Sequence, residues 1–238
     1  MNEQTPRLLL LTEDGSEQAN AVIKSIARKL LARVDPECRT NLVEFEPRTV
    51  EQANARAASL WKSDGPETIR QVRALAAQLL LSEREFVLFH IDGDEVWGKQ
   101  TQSLNVKQFE SEFRTKVEAA LNQFGGDRTG SALSRLIRLT PFFEMEAWLY
   151  QSTDDASAAC QKSCRKHAAL IASWKADRTL LDEVPDTKDI CCLGSKHNEA
   201  LAKEFPAAEV EAAGKSFAAA VAALRTLPPL MNALAATH

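Results

Sequence analysis

Short apolar runs alternate along the chain with longer stretches of helical period. Apolar runs of roughly four to eight residues bounded by charge or turn residues read as buried strands; apolar positions recurring every three or four residues read as amphipathic helices. Leu8-Leu9-Leu10-Leu11, within residues 7–12, is the first such run. Four leucines could equally open a helix, but the acidic turn Glu13-Asp14-Gly15-Ser16-Glu17 and the helical pattern over 19–31 (Ala19, Val22, Ile23, Ile26, Leu30) decide for a strand. Ser16 suits the N-cap of that helix and Glu17 its first turn. Residues 41–46 predict a second strand, ended by Pro47, and 86–91 a third. The alternation of apolar and basic residues over 134–140 predicts a fourth.

Helical patterns cover 50–61, 67–81 and 105–124 (Phe109, Phe113, Val117, Leu121), then 155–175, 195–204 and 207–225. Asp35-Pro36, Ser63-Asp64-Gly65-Pro66, Gly125-Gly126-Asp127, Pro185, Pro206 and Pro228-Pro229 punctuate them. The order β-α-β-α-α-β-α-β predicts an α/β fold, a mainly parallel sheet flanked by helices, with a helical C-terminal region. The expected division is an α/β core over 1–152 and a helical region over 153–238 packed on the same domain.

Composition changes this picture little. The chain has 238 residues, 45% hydrophobic and 26% charged, which is ordinary for a globular protein with a sizeable core. A formal charge of -4 does not announce a nucleic-acid binder, and a carboxylate-rich metal site would itself add negative charge. There is no signal-like start and no apolar run of membrane-spanning length, so the expected location is the cytoplasm, without a membrane partner. Five cysteines without framework-like spacing fit a reducing compartment.

The chemistry gathers where strands are predicted to end. Glu13, Asp14 and Glu17 follow the first strand, Asp92-Gly93-Asp94-Glu95 the third, and Glu144 and Glu146 the fourth. Parallel strands bring their C-terminal ends to one edge, where open α/β sheets bind ligands. Carboxylates suit hard cations such as Mg²⁺. Two-metal sites of this type stabilise the attacking and leaving oxygens of phosphodiester cleavage.

In this order the motifs resemble the Toprim domain of topoisomerases, primases and the overcoming-lysogenization-defect nucleases. Glu13-Asp14-Gly15-Ser16-Glu17 resembles the Glu-Gly-x-Thr-Glu turn of Toprim-like proteins, with Asp14 where Gly is usual. Asp92-Gly93-Asp94 matches Asp-x-Asp, and Glu146-Ala147-Trp148-Leu149 is similar to a segment of uncharacterised Toprim-like phage-defence proteins. The resemblance covers roughly 7–150 and implies a Toprim-like core. It implies a Mg²⁺- or Mn²⁺-dependent endonuclease cleaving nucleic acid, DNA or RNA, as an effector of bacterial anti-phage defence. Glu13 would be general base or metal ligand; Glu17, Asp92, Asp94 and Glu146 would be metal ligands. Lys188 is the candidate lysine for charge on the scissile phosphate. A separate ATPase subunit and a homodimer are the partners it suggests, since the chain has no GxxxxGK[ST] loop of its own.

Plainer readings stand beside these. Glu13 and Glu17 suit a helix N-terminus on dipole grounds alone, and Asp92-Gly93-Asp94 is also an ordinary polar turn. Residues i, i+2 on a helix do not share a face, so one of Glu144 and Glu146 is expected inward, with Glu146 preferred. His90, on the strand face opposite Ile91, reads as a core histidine. Arg128, Arg135 and Arg138 divide between phosphate contacts and a solvated face. Cys160-x3-Cys164-x2-His167, with Cys191-Cys192 and His197, matches no common zinc spacing, and buried small residues are the better reading. Trp148 and Trp174 read as core. A reading of another class is a non-catalytic Toprim-like subunit or sensor that works through a partner ATPase.

Overall fold

The computed structural model describes residues 5–13, 16–46, 60, 64–163, 165–183, 190 and 193–238. Its sheet has four parallel strands in the order β2-β1-β3-β4: β1 Arg7–Leu11, β2 Glu44–Glu46, β3 Glu85–His90 and β4 Leu136–Leu139. In the centre, Leu8 is registered with Phe86, and Leu11 with Phe89. Val87 to His90 pair with Leu136 to Leu139. Every residue of β3 is buried, as expected for a strand covered on both faces.

Helices cover both faces because parallel crossovers are right-handed. From β1 to β2 the chain travels one way, through α1 (Glu17–Val34); from β2 to β3 and β4 it travels back. That return puts α2 (Pro66–Leu81) and the long segment after β3 on the opposite face. The segment comprises α3 (Leu104–Gln108), a π turn at Phe109–Phe113, α4 (Arg114–Phe124) and α5 (Thr129–Leu133). Leu9, Leu11, Val87 and Phe89 pack on that side, and Leu8, Leu10, Phe86 and Leu88 pack toward α1.

Beyond β4 come α6 (Glu146–Leu149), α7 (Thr153–Ser163), α8 (Ala168–Ala176), α9 (Ser195–Lys203), α10 (Ala207–Ala213), α11 (Lys215–Arg225) and α12 (Pro228–Ala235). They share one apolar core with α1 and the sheet. Trp148 and Trp174 lie within it, as expected, and Trp148 Nε1 donates to Ser216 Oγ at 2.8 Å. Among the described residues no single helix is long and apolar enough to cross a membrane. The bent pair α11–α12 passes on length and composition, but its Phe217, Val221, Leu224, Leu230 and Leu234 are buried in this core.

Several element boundaries differ from the expected ones for local reasons. The helix expected over 207–225 is two, because Gly214 takes φ 91°. Pro228-Pro229, expected only to interrupt, opens α12, where a missing N–H costs nothing. The helix expected over 155–175 is divided between α7 and α8. Nearly all of the helix expected over 50–61 lies outside the described residues.

Candidate metal centre

The crevice forms where the winding direction reverses. Neighbouring β1 and β3 send their chains to opposite sides at their C-terminal ends, which is the point where open α/β sheets bind ligands. Beyond β1 come buried Thr12 and half-buried Glu13; Ser16 then caps α1, its Oγ accepting from Ala19 N at 3.1 Å.

Beyond β3 the chain stays strapped to the segment after β4. Ile91 N donates to Leu139 O at 3.1 Å, Gly93 N to Pro141 O at 3.0 Å and Asp94 N to Phe143 O at 3.0 Å. From the other side, buried Ser103 donates from Oγ to Gly93 O at 2.7 Å. Asn105 Nδ2 lies 2.9 Å from Asp92 O and 2.6 Å from Asp94 Oδ2. The Asp-x-Asp turn is thus fixed through its backbone, which leaves its carboxylates to face the crevice. Asp94 pays for its position with φ 51°, a conformation non-glycine residues seldom adopt.

The crevice has two lobes, of about 440 and 530 Å³, which share Glu13, Asp92, Glu146 and Ser195. Asp94 and Glu144 join the larger lobe, and His90 and Asn198 the smaller. Glu13 Oε2 accepts from Asp92 N at 3.3 Å, so the ends of β1 and β3 touch. Glu146 Oε1 accepts from Asn198 Nδ2 at 2.8 Å, which ties the β4 end to α9. Five carboxylates from three strand ends therefore line one concavity. Their oxygens are the donors a hard cation takes, and a divalent cation would relieve their mutual repulsion. Among the described residues, however, no three His, Cys, Asp or Glu side chains are grouped as the ligands of one bound ion would be.

The expected residues fare unequally. Glu13, Asp92, Asp94 and Glu146 meet in the crevice. Glu144 lines it too, contrary to the expectation that one of the pair turns away; it precedes α6, so helix spacing does not govern it. Glu17 does not join them: it is exposed in the first turn of α1, outside both lobes. Asp14, Gly15 and Lys188 lie outside the described residues, as do Cys164, Cys191 and Cys192. Cys160 is buried and disulfide-bonded, so its sulfur is unavailable to zinc and is not the reduced thiol expected.

The arginines are not phosphate contacts at this site. Arg135 is buried at the opposite end of β4, where its guanidinium donates to Leu79 O at 2.7 Å, Ser131 O at 3.2 Å and Glu85 O at 3.3 Å, and to Ser82 O. Arg138 pairs with Glu110 at 2.7 Å, and Arg128 donates to Leu80 O at 3.1 Å. Burial pulls both Arg135 and Arg138 below the ordinary arginine value, with nearby glutamates opposing it.

Ser103, Asn105, Ser195 and Asn198 were not singled out in the sequence. Ser103, the N-cap of α3, had a local signal in its position before the helical pattern. Asn198 had none, because its partner is 52 residues away. Comparison with protein-family profiles, curated proteins and solved structures returned no match.

Proposed function

We propose that this protein is a divalent-metal-dependent phosphodiesterase of Toprim type that cleaves nucleic acid, with a role in anti-phage defence as the resemblance suggests. The observation that carries the reading is the meeting of Glu13, Asp92, Asp94 and Glu146 in one crevice at the sheet's switch point. These residues would hold Mg²⁺ or Mn²⁺; their carboxylate oxygens fit such an ion, and Asp92 Oδ1 is buried without a hydrogen-bond partner. When bound, the ion supplies a Lewis acid for the phosphoryl oxygens and lowers the pKa of its water.

The chain's own part is positioning and proton transfer. Glu13 Oε2, beside the Asp92 N–H, is placed to take the proton of the attacking water. Water adds to phosphorus, the ester P–O bond breaks, and the departing oxygen leaves toward the open rim. Asn105 and Ser103 hold the Asp92–Asp94 turn during this exchange.

The test is cleavage of plasmid, single-stranded DNA and tRNA by the purified chain with Mg²⁺ or Mn²⁺. Metal-dependent cleavage that falls at least about a hundredfold in Asp92→Ala, with an unchanged circular dichroism spectrum, is expected. An equal rate in that variant overturns the reading.

A further inference from the structure

His90 is the last residue of β3 and is only 6% exposed. Its side chain lines the smaller lobe of the crevice. Neither ring nitrogen has a hydrogen-bond partner in the protein, and neither does Asp92 Oδ1. His90 Nε2 and that oxygen lie 3.3 Å apart without hydrogen-bond geometry between them. Three buried polar atoms at one spot are expensive unless something else satisfies them.

A core histidine ordinarily settles the matter with a backbone carbonyl or a hydroxyl. Here the strand prevents that. The backbone of β3 is committed to its neighbours, and the side chain leaves on the α1 side, where the crevice opens. The separation of the two atoms suits a shared cation. Two donors each about 2.1 Å from an ion and 3.3 Å from one another subtend about 104° at it, between the octahedral and tetrahedral angles.

We infer that His90 is a nitrogen ligand of the cation site, forming with Asp92 its buried half and turning it from an all-oxygen Mg²⁺ site into one that favours first-row transition ions such as Mn²⁺. The inference rests on the metal-dependent reading above and deepens it. Glu13 and Glu146, on longer side chains at the rim, complete the coordination with solvent. An imidazole ligand raises affinity for transition ions more than for Mg²⁺, which prefers hard oxygen donors and sheds its water reluctantly.

The experiment loads the full chain with Mn²⁺ alone and records electron spin-echo envelope modulation. Coupling to a directly bound ¹⁴N is expected, and it should convert to the ¹⁵N pattern in protein labelled with ¹⁵N-histidine. It should disappear in His90→Gln and persist in His197→Gln. In calorimetry, His90→Gln should weaken Mn²⁺ binding about tenfold or more and Mg²⁺ binding by less than about threefold. The labelled wild-type protein keeps the test valid even if His90→Gln fails to fold, since nitrogen coupling can be read without a substitution. Mn²⁺ bound without nitrogen coupling, or with coupling that survives in folded His90→Gln, overturns the role of His90 and leaves the carboxylate site standing. No Mn²⁺ binding at all overturns both.

Discussion

A methyl group added at Gly93 would lie 2.8 Å from Phe142 Cδ1 and 3.3 Å from Phe142 Cα. Two chain segments pass too close there for any side chain. Gly93→Ala should therefore cost about 1–3 kcal/mol in urea unfolding and lower divalent-ion affinity, since the turn that moves carries Asp92 and Asp94. Asp94→Gly should behave differently. Glycine adopts φ 51° without strain, so stability should stay within about 1 kcal/mol while metal-dependent cleavage is lost. Retained cleavage would remove Asp94 from the site. At this scale the sequence was most legible where a signal is local: an apolar strand ending in Asp-x-Asp needs no distant partner to be read. Asn198 and His90 were legible only as residue types. What gives them meaning is another strand's glutamate and a pair of unsatisfied nitrogens, neither of which leaves a periodic trace.

Helix starts were readable and helix interiors less so. Ser16 was expected as the cap of α1 and is one, and Ser16→Ala should cost about 1 kcal/mol of stability in chemical denaturation. The π turn at Phe109–Phe113 interrupts a stretch that reads as one helix over 105–124. There Phe109 and Phe113 are both buried against Phe89, with ring centroids 5.4 and 4.7 Å from it. Heptad-like spacing cannot distinguish that register from an uninterrupted helix. The basic residues at the start of β4 misled for a related reason. In sequence Arg135 is one of several cations; in the fold it joins the end of α2 to the starts of β3 and β4 through four carbonyls. Arg135→Met should cost about 2–4 kcal/mol, because the buried carbonyls lose their donor, while Mn²⁺ affinity of the folded variant stays unchanged.

Across the whole molecule, the order of strands and helices was legible because right-handed crossovers leave few choices. The packing of the last five helices against α1 was not, since nothing in their amphipathic patterns names a partner. One tie between distant parts lies at Cys38, between α1 and β2. It is buried, and the Thr237 hydroxyl donates to its sulfur at 3.3 Å. Burial pushes the Cys38 thiol above its ordinary value of 9.0; the Thr237 hydrogen bond opposes this, and Asp35 adds to it. An acid whose pKa is raised by folding contributes stability that is complete below its unfolded value and is lost above it. The stability difference between wild type and Cys38→Ala should thus shrink as pH rises past about 9, in urea titrations at pH 8 and 10. A difference that grows would mean that the thiolate is accommodated.

The wall of the crevice has a further consequence, in the order of assembly. Gln18 of α1 donates to Ser195 O across 177 residues of chain, and Glu146 needs Asn198 to hold it. The strand ends that carry Glu13 and Asp92 are synthesised long before α9, which encloses them. Contacts this distant form late, after the sheet and its local helices, because closing the intervening chain must be paid for first. A nascent or partly folded chain would hold its carboxylates on an open sheet edge, bathed in solvent and unable to retain a substrate. Docking of α9 makes activity a property of the completed molecule alone, so a potentially destructive chemistry is withheld until folding is finished.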